Sequence, residues 1–190
     1  MSPDAPAVDV YVDGQRTLEN VTFGAASDYL PVPTGEHRIQ IVPTGQENLD
    51  DAVIDTTIDL RRARPYTLAA INTLDNIELL VRSDITRPIP EGQARVRIFH
   101  VAPDAGVVDI RAAGTTTPVL TDQYFKSADY INLPAGTYAF EALRTGTTEV
   151  ALTTPELRFE PGWSYTVFVT GSTDDAQPLI AHPSVERTAE

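Results

Sequence analysis

The sequence predicts an all-β chain of two tandem, immunoglobulin-like antiparallel β-sandwich domains, and three observations carry that prediction. Apolar and polar residues alternate over short runs, and turn signals recur about every ten residues. No stretch carries the apolar spacing of a helix. Finally, a motif near the N-terminus returns one hundred positions later: Ser2 to Tyr11 reads SPDAPAVDVY and Ala102 to Arg111 reads APDAGVVDIR. In a chain of 190 residues this duplication divides the sequence into repeat one over residues 1–84, a linker over 85–93 and repeat two over 94–190.

In the first strand Val8, Val10 and Val12 share one face while Asp9, Tyr11 and Asp13 share the other, and Gly14 ends the run. The second copy places Val108, Ile110 and Ala112 inward and Asp109 and Arg111 outward, ending at Gly114. Next, FGAASDYLPVPTG from Phe23 to Gly35 matches YFKSADYINLPAG from Tyr124 to Gly136. Their Pro-x-Gly endings read as tight turns. His37, Ile39 and Ile41 then face one way and Arg38 and Gln40 the other; Tyr138, Phe140 and Ala142 are set likewise against Ala139 and Glu141. Strands over Val53–Leu60 and Val150–Phe159 follow. In the next pair Tyr66, Leu68 and Ala70 match Tyr165, Val167 and Val169 as core positions. Short strands at Ile77–Val81 and Pro178–Ala181 close the repeats. In the linker, two prolines favour extended backbone and the residues do not alternate. Ahead of the second motif, the run ARVRIFHV makes a strand on which Val96, Ile98 and His100 point inward and Arg95 and Arg97 outward.

Composition narrows the function classes. Without cysteine there is neither a disulfide framework nor a thiolate site. The formal charge of -13 is spread over both halves, which argues against nucleic acid as a partner. Thirteen arginines stand against the single Lys126, and carboxylate excess with so little lysine fits either a protein kept soluble in concentrated salt or a high-G+C source. No apolar run is long enough for a transmembrane segment, and no signal peptide is legible.

Candidate chemistry is sparse. Asp4, Asp9, Asp104 and Asp109 recur in both copies and are the candidate calcium ligands, because a hard cation needs several oxygens from one loop. The plainer reading has an Asp after Pro bonding within its own turn and an outward strand Asp in water, and the Asp-x-Asp-x-Asp-Gly pattern of a dedicated site is absent. His37, His100 and His182 form no metal-binding cluster, so His100 is expected in the core with its ring bonded to the Asp-bearing turn. No nucleophile elbow or glycine-rich phosphate loop occurs, so no catalytic residue and no cofactor is expected. Tyr11, Tyr29, Tyr130, Trp163 and Phe168 offer material for an aromatic platform against sugar rings, with core or corner roles as the simpler reading for Tyr29, Tyr130, Tyr66 and Tyr165.

HVAPDAGVVD, the two Asp-Tyr segments and the strands YTLAA and YTVFV together resemble the domain-of-unknown-function family 4397 of bacteria and archaea, whose signature is His-x-Ser-Pro-Asp-Ala-Pro-x-Val-Asp. On this resemblance the signature turn comprises Pro3, Asp4, Ala5 and Asp9 in the first copy and His100, Pro103, Asp104, Ala105 and Asp109 in the second, where Ala102 replaces Ser and Gly106 the second Pro. The resemblance implies extracellular or cell-surface β-sandwich modules, often in tandem, without established enzymatic activity. A spacer or adhesion unit contacting a protein or a surface polysaccharide is therefore the expected function, and a carbohydrate- or small-ligand-binding domain using loops at one end is the alternative. One asymmetry remains. Where repeat two has ARVRIFHV, repeat one has only Met1. Repeat one is thus expected to lack its first strand and to expose an edge open to self-association. The natural polypeptide is expected to start further upstream, unless another chain or segment fills the slot.

Overall fold

The computed structural model describes residues 2, 4–46 and 48–171, and the backbone of 180–186. Among the described residues its architecture is all-β, with several sheets whose pairings are antiparallel but for one, and no barrel. The chain divides into two compact units, Met1–Thr86 and Arg87–Glu190.

Unit 1 holds β1 (Val8–Val12), β2 (Gln15–Val21), β3 (Gly35–Pro43), β4 (Ile54–Leu60), β5 (Tyr66–Ile71) and β6 (Glu78–Ser83). Four of them form an antiparallel sheet in the order β2-β1-β3-β4, and β5 and β6 form a separate antiparallel pair. Asp13 and Gly14 both have positive φ, 51° and 78°, the twist that a two-residue hairpin between β1 and β2 requires. The core gathers Ile39, Ile41, Ile54 and Ile58, with Val8, Val10 and Val12 from β1 and Ala70, Leu79 and Val81 from the β5–β6 pair packed against them. One-turn 3₁₀ helices at Leu49–Asp51 and Leu74–Asn76 lead into β4 and β6.

Unit 2 holds β7 (Gln93–His100), β8 (Val108–Ala112), β9 (Leu120–Gln123), β10 (Ala128–Pro134), β11 (Gly136–Tyr138), β12 (Phe140–Arg144), β13 (Val150–Thr153), β14 (Leu157–Phe159), β15 (Ser164–Thr170) and β16 (Ile180–Glu186). Its sheets run β10-β7-β15-β16 and β13-β12-β8-β9, with β11 and β14 as a separate pair. All pairings in this unit are antiparallel except β7 with β15. Val96, Ile98, Tyr165, Val167 and Val169 from the first sheet meet Val108, Ile110, Phe140 and Ala142 from the second in one core. Phe159 of β14 completes it, edge-on to Tyr165 with ring centroids 4.9 Å apart.

Several expectations need correcting. Residues 136–142 and 150–159 are not continuous strands: the first breaks at Ala139 and the second at residues 154–156, where Pro155 has no N–H to give a ladder. The corner is closed by Thr154, whose backbone N–H donates to Phe140 O (2.8 Å) and whose hydroxyl accepts from Phe140 N–H (2.9 Å). The final strand spans Ile180–Glu186, and Pro178, where it was expected to begin, lies outside the described residues.

Leu68, expected as the counterpart of buried Val167, is 37% exposed while Val167 is 0%. The segment over residues 26–33 forms no strand, whereas its partner sequence forms β10. One cause explains both. Among the described residues of unit 2, β10 pairs with β7 alone, and β15 is flanked by β7 on one side and β16 on the other. Among the described residues of unit 1 no strand occupies the place of β7, so residues 26–33 have no ladder to join and β5 pairs only with β6.

Candidate functional site

The signature aspartates sit at the same irregularity in both units. Between Val8↔Val21 and Val10↔Leu18 the β1–β2 ladder shifts register, so Asp9 faces both Glu19 and Asn20. Between Val108↔Gln123 and Ile110↔Leu120 the β8–β9 ladder does the same, so Asp109 faces Thr121 and Asp122. This is a β-bulge in each case. The second residue of each bulge is left-handed, Asn20 with φ 52° and Asp122 with φ 53°. That geometry turns its N–H toward the opposing carboxylate: Asn20 donates to Asp9 Oδ1 at 2.8 Å and Asp122 to Asp109 Oδ1 at 2.9 Å. A threonine hydroxyl from the following hairpin reaches the same oxygen, Thr44 at 2.9 Å in unit 1 and Thr145 at 3.2 Å in unit 2. Their backbone N–H groups also match, donating to Ala7 O and Val107 O. One carboxylate thus clamps a bulge and a hairpin to the strand between them.

The expectation of a solvated outward aspartate fails for Asp9, which is 1% exposed. Its carboxyl is held below the usual carboxylate range chiefly by the Asn20 N–H, with the Thr44 hydroxyl and Arg16 adding to the effect against the opposing pull of burial. Asp109 is half-buried. At both residues Oδ1 accepts an N–H and an O–H from the chain itself. Asp4 accepts from Ser2 Oγ (3.1 Å) and from the Leu74 N–H (2.8 Å), tying the N-terminal turn to the segment after β5. Asp104 is exposed, Pro103 and Ala5 are half-buried, and Ala105 is buried; Pro3 lies outside the described residues. Among the described residues no three His, Cys, Asp or Glu side chains converge as a metal site would require.

His100 ends β7 and is 1% exposed. Its Nε2 bonds Gly106 O at 2.9 Å and its Nδ1 pairs with the Ala102 N–H at 3.3 Å, so the ring is a neutral imidazole with its proton on Nε2, spanning the Pro-Asp-Ala turn from inside. Burial pushes its pKa down. His37 is bonded differently: Nδ1 donates to Asp13 Oδ2 (2.7 Å) and Nε2 contacts Pro33 O (2.9 Å), and the carboxylate raises its pKa.

Arg95 and Arg97 are not outward-facing residues in water. Arg97 is fully buried, with its guanidinium 5.3 Å from the Phe99 ring centroid and 5.1 Å from that of Tyr130, and donates from Nε and Nη2 to Thr166 Oγ1. Phe99 in turn stacks on Phe168 at 5.4 Å. Arg95 donates to the carbonyls of Arg87 and Pro88 and to Asn132 Oδ1, which ties residues 87–88 of the expected linker, already part of unit 2, to β7 and β10. Alternation placed these arginines off the core face, as they are. It cannot register that the other face of the sheet is buried too.

Sequence reasoning missed the partners of the signature: Asn20, Asp122, Thr44 and Thr145. Asn and Asp tolerate left-handed backbone, and Thr-Gly at 44–45 recurs at 145–146, so a signal was present. Neither signal points to the aspartate without knowledge of which strand lies beside it.

The fold and this clamp define an all-β protein whose signature carboxylates bind its own backbone. Residues 1–111 match the family described as domain of unknown function (DUF4397), and the chain belongs to that family. The match runs from the first Pro-Asp-Ala segment through the second. No curated protein matches the chain. No helix among the described residues is long and apolar enough to cross a membrane.

Proposed function

We propose that the chain is a non-enzymatic module of a cell-surface or secreted protein, built from two tandem immunoglobulin-like sandwich domains and serving as a spacer or adhesion unit. The observation that supports this reading is the recurrence of one clamp: Asp9 with Asn20 and Thr44, and Asp109 with Asp122 and Thr145, at the same ladder irregularity. The signature side chains hold strands and turns in place, which suits a module whose contribution is a fixed shape. An antibody against this chain should label intact cells of the organism that makes it, and the adhesion of those cells should fall when both units are deleted. Labelling only after permeabilisation would overturn the location, and turnover of a substrate by the purified chain would overturn the non-enzymatic reading.

A second reading, a carbohydrate- or small-ligand-binding domain, is favoured by Tyr124, 64% exposed in the loop between β9 and β10. Binding on a glycan array that disappears with Tyr124→Ala would support it.

A further inference from the structure

Resting on the reading of the chain as part of a cell-surface or secreted protein, we propose that Asn20 is a site of N-glycosylation. Its side-chain amide receives an oligosaccharide from a lipid-linked glycosyl phosphate or diphosphate, and Thr22 supplies the hydroxyl that the transferase reads.

Of the five asparagines in the chain, only Asn20 is followed two positions later by serine or threonine, in Asn20-Val21-Thr22 with no proline between. That spacing is the acceptor pattern for N-linked sugar. The fold places it where an enzyme can reach it. Asn20 and Thr22 are both exposed, β2 ends at Val21, and the chain then leaves the sheet through a turn in which Ala25 N–H donates to Thr22 O. β2 is also an edge of the order β2-β1-β3-β4, so among the described residues no further strand crowds this end.

The clamp uses the backbone of Asn20 and leaves its side chain over. The N–H donates to Asp9 Oδ1 at 2.8 Å, while among the described residues neither the Asn20 side-chain amide nor the Thr22 hydroxyl has a hydrogen-bond partner. In unit 2 Asp122 takes the same bulge position with the same left-handed backbone, φ 53° against 52°, and donates the equivalent N–H at 2.9 Å. A carboxylate there serves the fold as well as an amide does. The amide nitrogen of Asn20 and the hydroxyl two residues on are therefore not explained by the bulge, and a substituent on Nδ2 breaks no contact of the chain. In the transfer, Nδ2 forms a bond to the anomeric carbon of the sugar as the bond from that carbon to the phosphate oxygen breaks. The lipid phosphate leaves with the bonding pair, and Nδ2 gives up one proton. A bulky, solvated group at this end of an edge strand also hinders strand pairing along it.

The test isolates the full chain from the organism that makes it and cleaves it after arginine, which releases residues 17–38 as a peptide whose sole asparagine is Asn20. Mass spectrometry should find this peptide heavier by one or more whole sugar residues, with fragments placing the increase on Asn20. Asn20→Asp puts in the residue that unit 2 carries at this position, so it spares the bulge, and it should abolish the increase. Thr22→Ala should abolish it too, whereas Thr22→Ser keeps the hydroxyl and should keep the sugar. A bare peptide from a chain that an antibody labels on intact cells would overturn the proposal and leave the surface location standing. A bare peptide from a chain labelled only after permeabilisation would overturn both. Sugar that survives Asn20→Asp or Thr22→Ala would not depend on this acceptor and would overturn the proposal as well.

Discussion

Replacing His100 with phenylalanine isolates what the signature histidine contributes, because the ring volume is kept while both nitrogens are lost. Two groups then lose their partners. Gly106 is exposed, so its carbonyl regains water and its loss costs under about 1 kcal/mol. Ala102 is fully buried, and its N–H becomes an orphan at a cost of about 1–3 kcal/mol. The sum is roughly 1–4 kcal/mol. For a unit of this size about 4 °C is lost per kcal/mol, so the melting transition of unit 2 should fall by about 4–16 °C. His100→Gln retains a donor and an acceptor and should lose less. Calorimetry of both variants is the assay, with hydrogen exchange at Ala102 and Gly106 locating the loosened segment. A fall of less than about 3 °C for His100→Phe would refute the reasoning, since the turn would then be held without the imidazole.

At the clamps, Asp9→Asn and Asp109→Asn keep an acceptor for the Asn20 and Asp122 amides, whereas the alanine variants remove it; melting should fall further for alanine, with faster exchange at Asn20 and Asp122, and equal losses would contradict the clamp. The two described histidines should titrate in opposite directions from the ordinary value of 6.5. His37 is raised by Asp13, so its stabilisation is complete below pH 6.5 and fades as pH rises through its folded-state pKa. His100 is lowered by burial; the folded chain keeps it neutral, and stability is lost as pH falls from 6.5 toward that lowered pKa. NMR titration placing His37 below His100 would reverse both statements. Finally, with a formal charge of -13, molar NaCl should raise the thermal midpoint by screening carboxylate repulsion, and a flat or falling midpoint would count against adaptation to salt.

The sequence by itself determined which face of β1, β3, β8 and β12 looks toward the core and where those strands turn, because both are local. Val8, Val10, Ile39 and Ile41, like Val108, Ile110, Phe140 and Ala142, pack into cores from a period of two residues, and Asp13-Gly14 forms the hairpin that its dihedral preferences demand. The partners of His100, Ala102 and Gly106, lie within six residues of it, so its place against the turn was also legible. Only the tertiary structure decided what a strand edge or an off-core face would meet. Asp9 is buried because a bulge eleven residues away returns an N–H to it, and Arg97 because Thr166 and Tyr130 arrive from strands far along the chain. Leu68 and residues 26–33 carry the same alternation as Val167 and β10 yet differ in exposure and form. Alternation marks a side chain for burial, but a ladder and a covered core require a neighbouring strand, and that neighbour is a property of the assembled sheet.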